Sequence, residues 1–543
     1  MSMRNGIGAL RRPRRPLFIL VGLALALPLS VHAQAQAAAT PAAAPAAAPN
    51  KFQINEYLVR GNTLLGNVDI ESTVEPYLGP DRSMNDVHAA QSALQKLYQA
   101  QGYQSVVVEL PPQQVKNGVI LLQVVENSIG RVRVQGAKYH SPQEIRDSVP
   151  ALAEGTIPNF TQAQQQLSDL NREQPGRQVI PLLSPGSMPN TMDVTLKVDD
   201  TNPWHGSVEV NNDHSADTPD LRTIANVSYN NLWQMGQTIS ASYIVAPQDT
   251  HATEVYALSY LAPLNANWSL LGSAYKSNSN ANTLGGTTVL GKGNAVSFQA
   301  TDTLPVLGDY TQMVSFGFSR KHFDQNITLG GQTTEAPLTY YPLTAAYTGQ
   351  HTGDQSTSSF TLTGNFGVRG AGSSNTAFDN QRYNARDNFA DLHLDVNYTH
   401  TLVDNFILAT RGSAQATDSP LVSSEQFAAG GMSSVRGYLS AEDTGDNGAI
   451  ASVEVRTPSI HSWAGSWANE WRFHVFVDSA RLMLIDPLPD QHGRFTLLST
   501  GVGTQFTVFH YLSGDLEYAY PLRNGVETRA HDGHLLFSVK AGL

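Results

Sequence analysis

Phe360-Thr361-Leu362-Thr363-Gly364-Asn365-Phe366-Gly367-Val368-Arg369 alternates apolar and polar side chains along its length. Phe360, Leu362, Phe366 and Val368 fall on one face; Thr361, Thr363, Asn365 and Arg369 fall on the other. Successive side chains of an extended strand point to opposite sides. A strand with one apolar and one wet face suits the wall of a membrane barrel, with lipid outside and water within. The same period runs through Ile239, Ala241, Tyr243 and Val245, and through Val314, Phe316 and Phe318.

Followed outward, the pattern predicts sixteen strands, the first at 205–214 and the last at 533–543. An even number returns both ends of the wall to the same side. The connections carry a second regularity. Gaps of 277–293, 321–340, 370–387 and 416–447 follow odd-numbered strands, and gaps of 232–235, 263–266, 304–310 and 401–403 follow even-numbered ones. Long loops alternating with short turns is the outer-membrane arrangement, with short turns and both termini in the periplasm. A soluble β-sandwich has no reason to keep it. The exception is 458–469, a long periplasmic connection whose Trp463 and Trp467 are expected at the membrane interface.

Composition agrees. Of 543 residues only 15% are charged, against about 25% in ordinary soluble domains. Hydrophobic content is 41%, yet beyond the N-terminus no run reaches the roughly 20 apolar residues that a membrane helix needs. A net charge of −12 argues against a nucleic-acid partner. Without cysteine there are no disulfides, thiol nucleophiles or cysteine-ligated zinc. The 16 histidines are scattered, and Gly291-Lys292-Gly293 lacks the rest of a phosphate loop. No cofactor, metal site or enzyme activity is expected.

Arg11, Arg12, Arg14 and Arg15 precede an apolar run from Leu17 to Val31, with a plausible cleavage site at Val31-His32-Ala33. Residues 1–33 therefore read as a secretory signal peptide. Residues 34–51 form an Ala/Pro-rich linker in which prolines at 41, 45 and 49 forbid a continuous helix.

Two α+β units follow, at 52–127 and 128–200, each of order β-α-α-β-β. In the first, Ser83 with Asp86 predicts a helix start, Val87, Leu94, Leu97 and Tyr98 give the buried stripe, and Gly102 the stop. In the second, Thr161 with Gln164 reads as a capping box before Leu167 and Leu170, and Pro175-Gly176 as the helix end. The fold class is thus two α+β repeats followed by a 16-stranded antiparallel transmembrane β-barrel spanning 201–543.

The repeats resemble polypeptide-transport-associated (POTRA) domains in Gly61-Asn62-Thr63-Leu64, Tyr98 with Gly102-Tyr103, Leu110-Pro111-Pro112-Gln113, and Leu170-Asn171 followed by Leu183-Ser184-Pro185-Gly186. The pair looks like that of two-partner secretion (TpsB-type) transporters, the haemolysin secretion/activation proteins of the Omp85 superfamily. Val435-Arg436-Gly437-Tyr438, in the sixth extracellular loop, resembles that superfamily's loop motif, and Phe476-Val477-Asp478-Ser479-Ala480 its partner motif, with Ala480 where the family usually has Gly. The resemblance implies that the loop folds into the barrel and Arg436 pairs with Asp478.

Strand phase reaches the same pair independently. Trp471, Phe473, Val475 and Val477 share one face, which leaves Arg472, His474, Phe476 and Asp478 inside. On the preceding strand Glu454 and Arg456 also face inward, so Glu454 is a second candidate carboxylate. Inward His474 beside Asp478 reads more simply as a wall histidine in a charge network than as a barrel hydrolase.

The expected function is outer-membrane export of a large TpsA-type exoprotein: an adhesin, a haemolysin or a contact-dependent toxin. The periplasmic repeats would capture it, commonly by strand addition, for which Leu182, Leu183 and Val194 are candidates unless they are core. Other expected partners are the barrel-assembly machinery and outer-membrane lipids. An Omp85-type factor that inserts other barrels, or a passive porin, remains as an alternative. Family members often carry an N-terminal helix that plugs the barrel; residues 34–50 show no amphipathic helix, which predicts a less firmly plugged pore. The last strand alternates to the C-terminal residue but ends in Leu543 rather than the usual Phe.

Overall fold

The computed structural model describes residues 51–543, apart from 174–175, 217, 280, 285–286, 291, 330–331 and 490. The expected signal peptide, the linker up to residue 50 and Pro175 lie outside the described residues. Among the described residues, no helix is long and apolar enough to cross a membrane. The crossing is made by strands.

Sixteen of them close into one antiparallel barrel. They are β1 (Trp204–Asn211), β2 (Arg222–Leu232), β3 (Gln237–Val245), β4 (Glu254–Pro263), β5 (Trp268–Ser277), β6 (Gly293–Thr303), β7 (Tyr310–Leu329) and β8 (Gln332–Thr352). There follow β9 (Ser356–Gly372), β10 (Ala390–Thr401), β11 (Ile407–Thr417), β12 (Asn447–Arg456), β13 (Ala468–Met483), β14 (Arg494–Val508), β15 (Leu512–Pro521) and β16 (His534–Gly542). Phe316, Phe318, Leu362, Phe366 and Val368 point outward and are exposed, as the alternation requires.

β16 pairs with β1 over a short register, from Gly542 opposite Ser207 to Ser538 opposite Asn211. Beyond that, Asn212 prolongs the seam with its side chain. Its carboxamide donates to Leu535 O at 2.8 Å and accepts from Phe537 N at 2.8 Å, as a backbone unit would.

One expected loop is mostly strand. Residues 321–340, read as an extracellular connection, continue β7 and β8 as a paired hairpin down to Leu329 opposite Gln332. The apolar side chains at its base do not face lipid. Phe323, Leu338 and Tyr340 are buried against Phe378 and Phe389 and against Leu421 and Val422 of the sixth loop. That cluster hides the period-2 signal by which the other strands were read. At the other margin, β11 starts three residues late because Asp404 and Asn405 adopt left-handed backbone (φ 58° and 63°), a turn rather than a strand.

In the first α+β unit a three-stranded sheet places Val119–Glu126 between Glu56–Arg60 and Val106–Glu109. The helix Met84–Ala100 covers it through Val87, Ala90, Leu94 and Tyr98. Asp86 accepts from the Ser83 backbone N and hydroxyl, both at 2.8 Å. Gly102 (φ 94°) reverses the chain, and a Cβ there would strike Asn159.

The second unit repeats the plan, with Thr191–Asp200 between Ser128–Gln135 and Arg177–Pro185. Its helix Phe160–Glu173 starts one residue before Thr161, so the expected Thr161/Gln164 box is wrong. The cap is Asn159, whose Oδ1 accepts from Gln162 N at 3.1 Å. Asn159 Nδ2 also donates to Gln101 O, and Phe160 N to Gly102 O, so the cap joins the two units. At the barrel end, Asp200 accepts from the backbone N of Lys138, Tyr139 and His140 and from His140 Nδ1 at 2.7 Å, while Asn231 near the end of β2 donates to Tyr139 O.

Candidate functional site

The loop between β11 and β12 folds back into the barrel and seats Arg436 in its wall. The seat is written in the register. Opposite one another across β12, β13, β14 and β15 lie Arg456, His474, Gly503 and Glu517 in one row. Glu454, Phe476, Gly501 and Ala519 form the next, and Ser452, Asp478, Ser499 and Pro521 the third. Both glycines belong to β14, where they leave room for side chains of the neighbouring β13. A Cβ on Gly501 would lie 2.3 Å from Phe476, and one on Gly503 would lie 2.5 Å from His474.

Arg436 is 3% exposed, and its guanidinium spends nearly all its donors on carboxylates. Nε and Nη2 grip Asp478 as a fork, at 2.7 and 3.0 Å, and the Arg436 backbone N adds a third bond at 3.1 Å. Nη1 reaches Glu454 at 2.7 Å and Glu517 at 2.9 Å. The guanidinium carbon lies 3.4 Å from the centre of the Phe476 ring, so the positive plane stacks on the aromatic face. A planar fork that stacks and bonds bidentately is what distinguishes arginine from lysine.

The rest of the motif holds that tip in place. Val435 and Tyr438 are buried with Phe427, Ala429, Leu482 and Leu497. Tyr438 donates its hydroxyl to the carbonyls of Leu498 and Arg523. Gly437 has φ 88°, and a Cβ there would come within 3.1 Å of Ala519 Cβ. Ala480 stands where the family resemblance led us to expect glycine, and its methyl packs into the same cluster beneath Val435 and Tyr438.

The structure thus brings together all the residues singled out in the sequence: Val435, Arg436, Gly437, Tyr438, Glu454, Phe476 and Asp478. It adds two that were missed, Glu517 and Ser452, and it corrects the partner expected for His474. Glu517 is the third carboxylate, Ser452 lies 3.4 Å from Nη2, and His474 bonds Glu517 at 2.9 Å rather than Asp478. Asp515 and Glu517 alternate with Leu516 and Tyr518, so the phase of β15 could have flagged them. The reach of His474 across β14 could not be read without the register, because it depends on Gly503 being bare.

Glu454, His474 and Glu517 bring ligand atoms within 4.8 Å of one another, a spacing compatible with a metal ion. Arg436 Nη1 already bonds both glutamates. The charge that group needs comes from the loop itself, with Arg456 adding a bond to Glu454 at 2.7 Å. A polar cavity of about 350 Å³ continues beside it, lined by Arg411, Arg456, Gln505 and Asp515 among others.

A closed sixteen-strand barrel, α+β units at its periplasmic end and an extracellular loop bound in its lumen define an outer-membrane transporter of the Omp85 kind. Sequence comparison makes the family plain. Residues 190–506 match the family of haemolysin secretion/activation proteins ShlB/FhaC/HecB, and residues 52–127 match the ShlB-type POTRA domain. The chain belongs to the ShlB/FhaC/HecB family, the outer-membrane transporters of two-partner secretion, and its POTRA region lies in the periplasm.

Among curated proteins it is 24% identical over 448 residues to the outer membrane transporter CdiB of Dickeya dadantii (strain 3937), covering 79% of this chain and 76% of the relative. Among solved structures it is similar in fold to CdiB from Escherichia coli, with TM-score 0.58 and 19% identity over 93% of each chain. BamA from Haemophilus ducreyi lacking POTRA domains 1–3 is similar too, with TM-score 0.55 and 15% identity over 91% of this chain and 100% of the other.

Proposed function

We propose that the protein exports one large β-helical exoprotein (an adhesin, a haemolysin or a contact-dependent toxin), and that Arg436 is the latch that keeps the sixth loop in the lumen between rounds. The observation that carries this is the pairing of one buried guanidinium with three wall carboxylates, in the path an extended chain must take. Folding of the client outside supplies the pull.

In this reading both periplasmic units are POTRA domains and residues 1–33 are removed on export. The capture edge is Arg177–Pro185, which has a partner on one side only. Ile180, Leu182 and Leu183 are exposed along it, whereas Val194 is core. An extended client segment added there would satisfy the free backbone groups and cover those side chains. The barrel itself reaches the membrane through the assembly machinery and sits among outer-membrane lipids.

An insertase reading keeps the same barrel and loop, but such factors usually carry more periplasmic units than the two among the described residues. The test is secretion in cells whose outer-membrane barrel content is followed in parallel. Deleting the gene should abolish one exoprotein and leave other barrels in place. If other outer-membrane proteins disappeared while every exoprotein persisted, the export reading would fail.

A further inference from the structure

Arg436 fixes the tip of the sixth loop, but the loop is held a second time where it enters the barrel, and by different chemistry. Glu425 is buried on the loop's first limb. It bonds Lys321 Nζ of β7 at 2.6 Å and the Tyr340 hydroxyl of β8. The same hydroxyl meets Ser424 Oγ at 2.8 Å, and the Lys321 ammonium lies 5.9 Å from the centre of the Tyr340 ring. Leu421 and Val422, just before, are sunk in the apolar cluster at the base of the β7–β8 hairpin.

The two limbs of the loop are then tied to each other. Gln415 Nε2 of β11 donates to Glu425 O on one limb and to Asp446 O on the other, both at 3.1 Å. The Asp446 carboxylate accepts from Leu421 N at 2.9 Å and from Ile485 N of the next loop at 2.7 Å, with Arg382 Nη2 3.6 Å away. None of these groups touches Arg436 or its carboxylates.

We propose that the Lys321–Glu425–Tyr340 group is a second clasp, positioning the base of the loop independently of the Arg436 latch, so that the lumen stays shut only while both hold. A carboxylate buried this deeply is costly without its cation, so losing Lys321 expels Glu425 and with it the limb that carries the tip. The partner strands of the clasp are those of the long hairpin. The loop is therefore coupled to the outer surface as well as to the wall.

Conductance of the purified full-length protein in planar bilayers tests this without any client, so its outcome is separable from the export reading. Lys321→Glu and Glu425→Lys, each shown to be a folded barrel by its heat-dependent gel mobility, should raise resting open probability at least several-fold. The exchange of both, Lys321→Glu with Glu425→Lys, should bring it back towards the parent value, which a merely damaged fold would not do. Because the chain has no cysteine, Lys321→Cys with Glu425→Cys can also be bridged by a reducible thiol cross-linker, which should close the pore until the bridge is reduced. Single variants that fold and stay as closed as the parent, or an exchanged pair as open as either single, would overturn the clasp.

Discussion

As the proposed latch, Arg436 would carry a large share of the docking of the sixth loop. Three buried carboxylates share its charge. Removing one partner of a buried, hydrogen-bonded ion pair typically costs about 3–5 kcal/mol, because the other charge is left uncompensated. Arg436→Ala should therefore undock the tip while the barrel still closes, since no strand pairing depends on it. Arg436→Lys should behave nearly as badly, because an ammonium cannot grip Asp478 as a fork and stack on Phe476 together. Gly437→Ala is the quieter probe. The left-handed backbone costs about 1–2 kcal/mol for a residue with a Cβ, and Ala519 blocks the space. Its expected outcome is a partly open pore at normal barrel yield, read as conductance per inserted molecule.

At the same scale, Asp200 makes the joint between the second unit and the barrel sensitive to acid. Burial works against its charge, but the backbone N–H groups of Tyr139 and Lys138 and the side chain of His140 outweigh it and hold the carboxyl below the usual range. A folded pKa below the unfolded one adds stability above the unfolded value, about 4 for aspartate, and loses it as pH falls through the folded value. The urea midpoint of the periplasmic units should thus be flat from neutrality to about pH 5 and fall below about pH 4. Asp200→Asn should lower the neutral midpoint and flatten that acid fall. An Asp200→Asn profile parallel to the parent's would exclude this residue as the cause.

Elements were legible in the sequence wherever one face meets lipid. All sixteen strands follow from period-2 alternation and the long–short rhythm of the gaps, and the inward phase of β12 and β13 picked out Glu454 and Asp478. What escaped lies where lipid does not set the pattern. The outer halves of β7 and β8 bury Phe323, Leu338 and Tyr340 in a protein cluster, so their alternation carries no membrane signal. The helix Asn375–Gln381 was read as loop because seven residues are too few for a period to show. Glu517 has the right phase, but its pairing depends on Gly503 leaving the space through which His474 reaches it. Gly503→Val should for that reason disturb the seat without touching Arg436, a disturbance to be read as increased conductance.

The seam is the other element whose behaviour follows from few bonds. Asn212→Leu removes the two side-chain bonds that extend the pairing of β1 with β16. It should lower the temperature at which the folded band is lost on gels, while Asn226→Leu inside the wall should do less. Equal shifts would show that the seam is not the weak point.

For the whole molecule, the two periplasmic units, the barrel and the loop act in series. Asn159 joins unit to unit, Asp200 and Asn231 join the second unit to the barrel, and Arg436 joins loop to wall. A client captured on the proposed edge, Arg177–Pro185, would be delivered to a lumen whose obstruction hangs on a few charged contacts. Placing a charge on that edge, as in Leu182→Glu, should reduce client binding to the full-length protein and secretion together, leaving barrel insertion and resting conductance alone.

The most direct test of the account is secretion per inserted barrel for Arg436→Ala, Asp478→Ala and the double variant, with conductance measured on the same proteins. If the two residues act as one latch, each single variant should lower secretion and raise conductance to a similar degree, and the double should be no worse than either. Normal secretion by Asp478→Ala alongside loss in Arg436→Ala, or fully additive losses, would contradict the pairing on which the account rests.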